Sequence, residues 1–164
     1  MGVAVLLTAA IVAVTPASYV ASRQQADGGF AEMGSQSTPG LTAWAMLGLR
    51  TAGLPTGKAY DYLVANEREL QSATDVELAL IAEAATGRIS DTLYARFAAL
   101  GRPDGRFGPA INSTAWGILA YAQVGRPLKL RVSYLLHHQQ QSGGWGWIAG
   151  AAPDSNDTLS LIHI

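Results

Sequence analysis

The chain has 164 residues, 49% of them apolar and 14% charged, and a net charge of −1. That length fills one domain or part of a larger one, and the absence of any basic block or stripe removes the electrostatic footprint of a nucleic-acid binder. Cysteine is absent, which excludes a disulfide framework, a thiolate nucleophile and a cysteine-ligated metal.

Val3 to Val14 is an apolar run closed by Thr15-Pro16-Ala17-Ser18. It is too short to span a bilayer comfortably but suits a signal-peptide core before a small-residue cleavage site, although a basic leader is missing. The expectation is a signal over 1–17, an exported protein of the extracellular space or cell envelope, and no stable membrane span after signal removal. The alternative is that the run begins the first packed helix.

Helix and turn then alternate. Tyr19 to Gln25 reads as a helix stopped by Gly28-Gly29, because paired glycines end helices. Thr38-Pro39 blocks its continuation, and Leu41 to Ala52 follows as a second helix, with Leu41, Trp44, Leu47 and Leu49 spaced for burial. Lys58 to Leu70 pairs with Val76 to Thr86, and Ser90 to Leu100 pairs with Thr114 to Val124. Leu128 to Gln141 opens a further pair, whose second helix is expected near Asp157.

Two signatures recur. Gln24-Gln25-Ala26-Asp27-Gly28-Gly29-Phe30 returns as Gln139-Gln140-Gln141-Ser142-Gly143-Gly144-Trp145, at a constant offset of 115 (139 − 24, 145 − 30). A weaker copy is Pro103-Asp104-Gly105-Arg106-Phe107, with Gly101 at the glutamine position. Thr42-Ala43-Trp44 returns as Thr114-Ala115-Trp116, 72 residues on (114 − 42). Thr74 and Thr158 fit the same place, and each of these threonines is suited to cap a helix or sit in its first turn. Recurring supersecondary units mean a repeat array.

On these residues the chain resembles the prenyltransferase and squalene-cyclase repeat superfamily. The resemblance covers roughly 19–158 and weakens in the second hairpin, where only Glu67 to Ala73 connects the helices. It implies an all-α fold: a partial α/α toroid, an open arc of about four antiparallel hairpins in inner and outer helix layers. It also implies that Gln24, Asp27, Gly28, Gly29, Phe30, Gln139, Gly143, Gly144 and Trp145 are structural, the glutamine and the aromatic tying each outer helix to the next inner one. Asp27 is replaced by Ser142, so its carboxylate is dispensable to the motif.

Class II terpene cyclases of this superfamily carry Asp-x-Asp-Asp-Thr, with the central aspartate as proton donor. Asp154, Asp157 and Thr158 match that motif, but Asn156 replaces the acid, and an amide cannot protonate an alkene. A polar helix start, with Ser155 or Asn156 as cap, is the competing explanation. The prenyltransferase zinc site requires a cysteine, and the adjacent His137 and His138 lack the i, i+4 spacing of a shared metal. The threonine positions in Asn112-Ser113-Thr114 and Asn156-Asp157-Thr158 also complete glycosylation patterns, which repeated capping explains more simply. Arg102, Arg106 and Arg126 read as solvated turn charges.

No residue is nominated as catalytic or metal-binding, and the cofactor is unspecified. The leading expectation is a non-catalytic protein that binds a small apolar or corrinoid-like ligand on its inner-helix face. Trp44, Trp116, Tyr121, Asp154 and Asp157 are the candidate ligand residues. The alternatives are a fragment of an isoprenoid-acting enzyme whose catalytic residues lie elsewhere, and a structural module of a larger secreted protein. Leu159-Ser160-Leu161-Ile162-His163-Ile164 equals one frame of a common sequencing-library transposon end. The expectation is therefore that the authentic sequence stops near Thr158 and that 159–164 is an artefact.

Overall fold

The computed structural model describes residues 15–162, with the side chains of residues 160 and 162 outside that description. The apolar run Val3–Val14 and His163 lie outside it. Among the described residues the chain is all-helical: α1 (Pro16–Ser22), α2 (Pro39–Thr51), α3 (Gly57–Asn66), a 3-10 turn (Glu67–Glu69), α4 (Ala73–Ala85), α5 (Asp91–Leu100), α6 (Ile111–Gln123), α7 (Lys129–His137) and α8 (Ser155–Ile162). None of these helices is long and apolar enough to cross a membrane.

Helix packing follows an alternating rule. α2 packs on α4, α4 on α6 and α6 on α8, forming a continuous central row. α3 packs on α2, α5 on α4 and α7 on α6, while α1 also lies against α2. α2, α4 and α6 are 13 residues each, and the flanking α3, α5 and α7 are 9 or 10. Small residues permit the close approach within the row: Ala43, Ala79, Ala82, Ala115 and Ala120 are buried. Met46, Leu63, Leu80, Leu93 and Phe97 fill the main core, and Ile111, Ile118, Leu135, Trp145 and Leu161 form a second cluster towards α8.

The helix starts differ from the sequence expectation. α2, α4, α6 and α8 begin two or three residues earlier than the threonine pattern suggests, because the caps are Thr38, Ser72 and Asp154, while Ser113 serves α6 from inside its first turn. Thr42, Thr114 and Thr158 are therefore each the fourth helical residue. In α4 that position is Val76, and Thr74 is only the second residue, so it does not share their place. Neither Ser155 nor Asn156 caps α8; Asp154 does, accepting from the Asp157 N–H at 2.8 Å.

α1 is also displaced towards the N-terminus. Thr15 and Ser18 make reciprocal capping bonds around Pro16, whose fixed φ suits a first helical position. The helix expected to run to Leu70 ends at Asn66 and tightens into the 3-10 turn, and α7 stops at His137 rather than Gln141. Residues 159–162 continue α8, where Leu161 is buried.

Candidate functional site

The repeated turn is built the same way each time. Gln25 N–H donates to Gly29 O and Gln140 N–H to Gly144 O, both at 2.9 Å, and Arg102 N–H donates to Arg106 O at 2.9 Å. Gly28, Gly105 and Gly143 sit at φ +92°, +105° and +84°, a region that L side chains rarely enter. A Cβ on Gly28 would lie 2.6 Å from Lys58 O, and one on Gly105 would lie 2.6 Å from Leu130 O. Each of those carbonyls belongs to the second residue of the next flanking helix, so the turn docks there. Asp27 and Asp104 brace their turns by accepting the N–H two residues on, at 2.9 and 3.1 Å.

The aromatic ties this turn to the next central helix. Phe30, Phe107 and Trp145 donate their backbone N–H to the hydroxyls of Thr42, Thr114 and Thr158, at 3.0, 3.1 and 3.0 Å. Trp145 also reaches back, its indole N–H donating to Leu135 O of α7 at 2.8 Å. The glutamines do something more local than expected: Gln24 and Gln139 donate to Gly28 O and Gly143 O of their own turns, at 2.8 and 2.7 Å. A side chain four residues upstream meets that turn carbonyl first.

Of the candidate ligand residues, the fold brings two together from distant helices. Trp44 and Trp116 are the sixth residues of α2 and α6, and α4 lies between these helices. Their rings nevertheless meet edge to face, with centroids 5.6 Å apart. The equivalent residue of α4 is Leu78, which is buried. The two tryptophans therefore lie on one face of the row formed by α2, α4 and α6. Trp44, expected in the core, stays 52% exposed because of this outward position.

Trp44 also forms one wall of a cleft of about 370 Å³ between α1, α2 and the first turn, with Tyr19, Val20, Met33 and Leu41 around it. Arg23 and Glu32 complete the lining. None of the charged residues of α2 and α4 lines this cleft. Arg50 donates to Ala85 O at 2.8 Å, Asp75 accepts the Ser72 N–H, and Glu77 and Glu83 are buried.

Tyr121 belongs to a different face. Five residues beyond Trp116, it is rotated away around α6 and packs edge-on to Phe97 and Phe107 at 5.3 and 4.9 Å, with Arg131 over its ring at 5.5 Å. Asp154 and Asp157 engage one another at the start of α8. The N–H of Asp157 holds the exposed Asp154 carboxyl below its usual range. Burial first, then the adjoining Asp154, pushes Asp157 up to about 6. His137 and His138 have ring centroids 5.2 Å apart, and the described residues contain no group of three or more potential acidic, histidine or cysteine metal ligands.

Sequence reasoning missed the buried acids. Glu77 is 0% exposed, and neither carboxyl oxygen has a hydrogen-bond partner. It occupies the position held by Ala43 in α2 and Ala115 in α6. Burial pushes its carboxyl up to about 9. Glu83 is buried on the same helix and pushed up to about 7, chiefly by burial. The substitution of an acid into an alanine register was the only sequence sign. Compared with protein-family models and with curated proteins, the chain matches none.

Proposed function

We propose that the chain is an open arc of the α/α-toroid type, resembling the prenyltransferase and squalene-cyclase repeats, whose concave face binds a small neutral apolar ligand. The contact between Trp44 and Trp116 across α4 carries the reading. It supplies two indole surfaces, one of them lining an apolar cleft, while the charged residues of the central helices lie away from that cleft. Few polar groups among aromatic walls favour a ligand held by surface burial. Tyr121, Asp154 and Asp157 stand apart from this face and serve packing and capping.

In this reading the protein is an exported, non-catalytic carrier, and the Asp154–Asp157 pair is a helix cap. The repeated turn is its joint, since it connects a flanking helix, the next central helix and the start of the following flanking helix.

Thermal melting with added farnesol, as a neutral isoprenoid alcohol, and separately with hydroxocobalamin tests it. Saturable stabilisation by farnesol, weakened by Trp44→Ala and Trp116→Ala, supports the reading, whereas stabilisation by hydroxocobalamin alone keeps the site but replaces the neutral apolar ligand with a large polar corrinoid. Melting unmoved by both probes, or stabilisation unchanged by either tryptophan substitution, rejects it.

A further inference from the structure

The repeated joint has two halves. One is the glycine turn, and the other is the opening of the flanking helix that the turn meets. Pro55, Tyr62 and Leu63 open α3, and Pro127, Tyr134 and Leu135 open α7, so both openings read Pro-x6-Tyr-Leu at a constant offset of 72 (127 − 55, 134 − 62). In each, the second helical residue (Lys58 or Leu130) presents its carbonyl and the sixth is the tyrosine. Four residues apart, the two lie on one face of the helix.

The halves meet backbone to backbone. Gly28 and Gly105 are buried against Lys58 O and Leu130 O, each carbonyl 2.6 Å from where a Cβ would stand. The tyrosine closes the contact. A Cβ on Gly29 would lie 2.9 Å from the Tyr62 ring, whose hydroxyl donates to Ser37 O at 2.8 Å, and one on Gly105 would lie 3.0 Å from Tyr134 Cβ. The leucines that follow, Leu63 and Leu135, are buried.

α5 supplies the contrast. The connection that it meets, residues 67–72, contains no glycine, and α5 has Ile89 at the proline place and Arg96 at the tyrosine place. Arg96 donates instead to the carbonyls of Glu67 and Leu70. Helix opening and turn therefore match as a pair, in the form with glycine and in the form without it.

The third glycine turn has no such opening against it. It closes with the same 2.9 Å bond, from Gln140 N–H to Gly144 O, and Gly143 keeps φ +84°. Yet Gly143 is exposed, and among the described residues nothing lies within 4 Å of a Cβ placed there. The positive φ alone accounts for a glycine in the turn; the vacant contact is what the other two copies explain. We infer that the turn at Gly143 is a docking seat for a partner protein that carries Pro-x6-Tyr-Leu at the opening of a helix. The partner's second helical carbonyl packs on Gly143, and its tyrosine packs beside it. The seat is already formed, so binding orders little on this side of the contact.

NMR titration of the full chain with a capped peptide of its own residues 126–138 tests this. The peptide should shift the Gly143 and Gly144 amides saturably. Its Tyr134→Ala form should bind at least about tenfold more weakly, because buried aromatic anchors dominate small interfaces. In the protein, Gly143→Asn keeps a residue that tolerates positive φ but puts a side chain where the incoming carbonyl must sit, so binding should be lost while the fold remains. No saturable shift, shifts confined to Gly28 and Gly105, or equal binding by both peptides overturns the proposal. Should Gly143→Asn fail to fold, the comparison of the two peptides decides alone. Sedimentation of the peptide-free chain covers the remaining occupant: dimerisation that Gly143→Asn abolishes would give the seat to a second copy and overturn the assignment to a separate partner.

Discussion

Glu77→Gln offers a quantitative test of how the central row is packed. The carboxyl of Glu77 is fully buried without partners, and burial lifts it from 4.5 to about 9. Between those values the folded chain keeps a proton that the unfolded chain releases. Stability from this group is complete below the lower value and is lost as pH rises towards the upper one. The slope is about 1.4 kcal/mol per pH unit, so wild type should lose about 4 kcal/mol from this residue alone between pH ~5 and pH ~8. Glutamine preserves the shape and the burial but cannot ionise. Urea unfolding of both proteins across that range should give a stability difference that moves steadily in favour of Glu77→Gln. Parallel curves would refute the argument, because they would mean that the buried carboxyl is solvated or paired.

Three further substitutions probe the repeated joints. A Cβ on Gly117 would lie 2.3 Å from the Phe107 ring, so Gly117→Ala should destabilise by about 1–3 kcal/mol despite alanine's better helix propensity, measured by chemical denaturation. Thr42→Val removes the acceptor of the buried Phe30 N–H at nearly constant shape and should cost about 1–3 kcal/mol in the same assay. Trp145→Phe keeps an aromatic but loses the bond to Leu135 O. It should cost about 1 kcal/mol and speed amide exchange where α7 meets α8's core cluster.

The sequence displayed the number and order of the helices because glycine and proline punctuate it, and the recurrence of Gln24–Phe30 at Gln139–Trp145 marked the joints. It misplaced the helix starts because Thr42 and Thr114 resemble caps while serving as acceptors one turn inside. Thr38 and Ser72 were the real caps, hidden among other loop hydroxyls. The meeting of Trp44 with Trp116 was out of reach, since it depends on how three helices pack side by side. Tyr121 was expected on the inner-helix face with Trp44 and Trp116, yet its helical phase turns it towards Phe97 and Phe107. Glu77 and Glu83 drew no notice in the sequence, because local pattern does not show which helices close over them.

The most direct test of the account is a fluorescence titration with farnesol in a Trp147→Phe background. That substitution removes an exposed emitter and leaves Trp145 buried as a steady one, so changes report on Trp44 and Trp116. The account predicts a saturable change in emission that is abolished by Trp44→Ala and by Trp116→Ala while the fold is retained. A linear, non-saturating response, or one that persists without these two side chains, would contradict it.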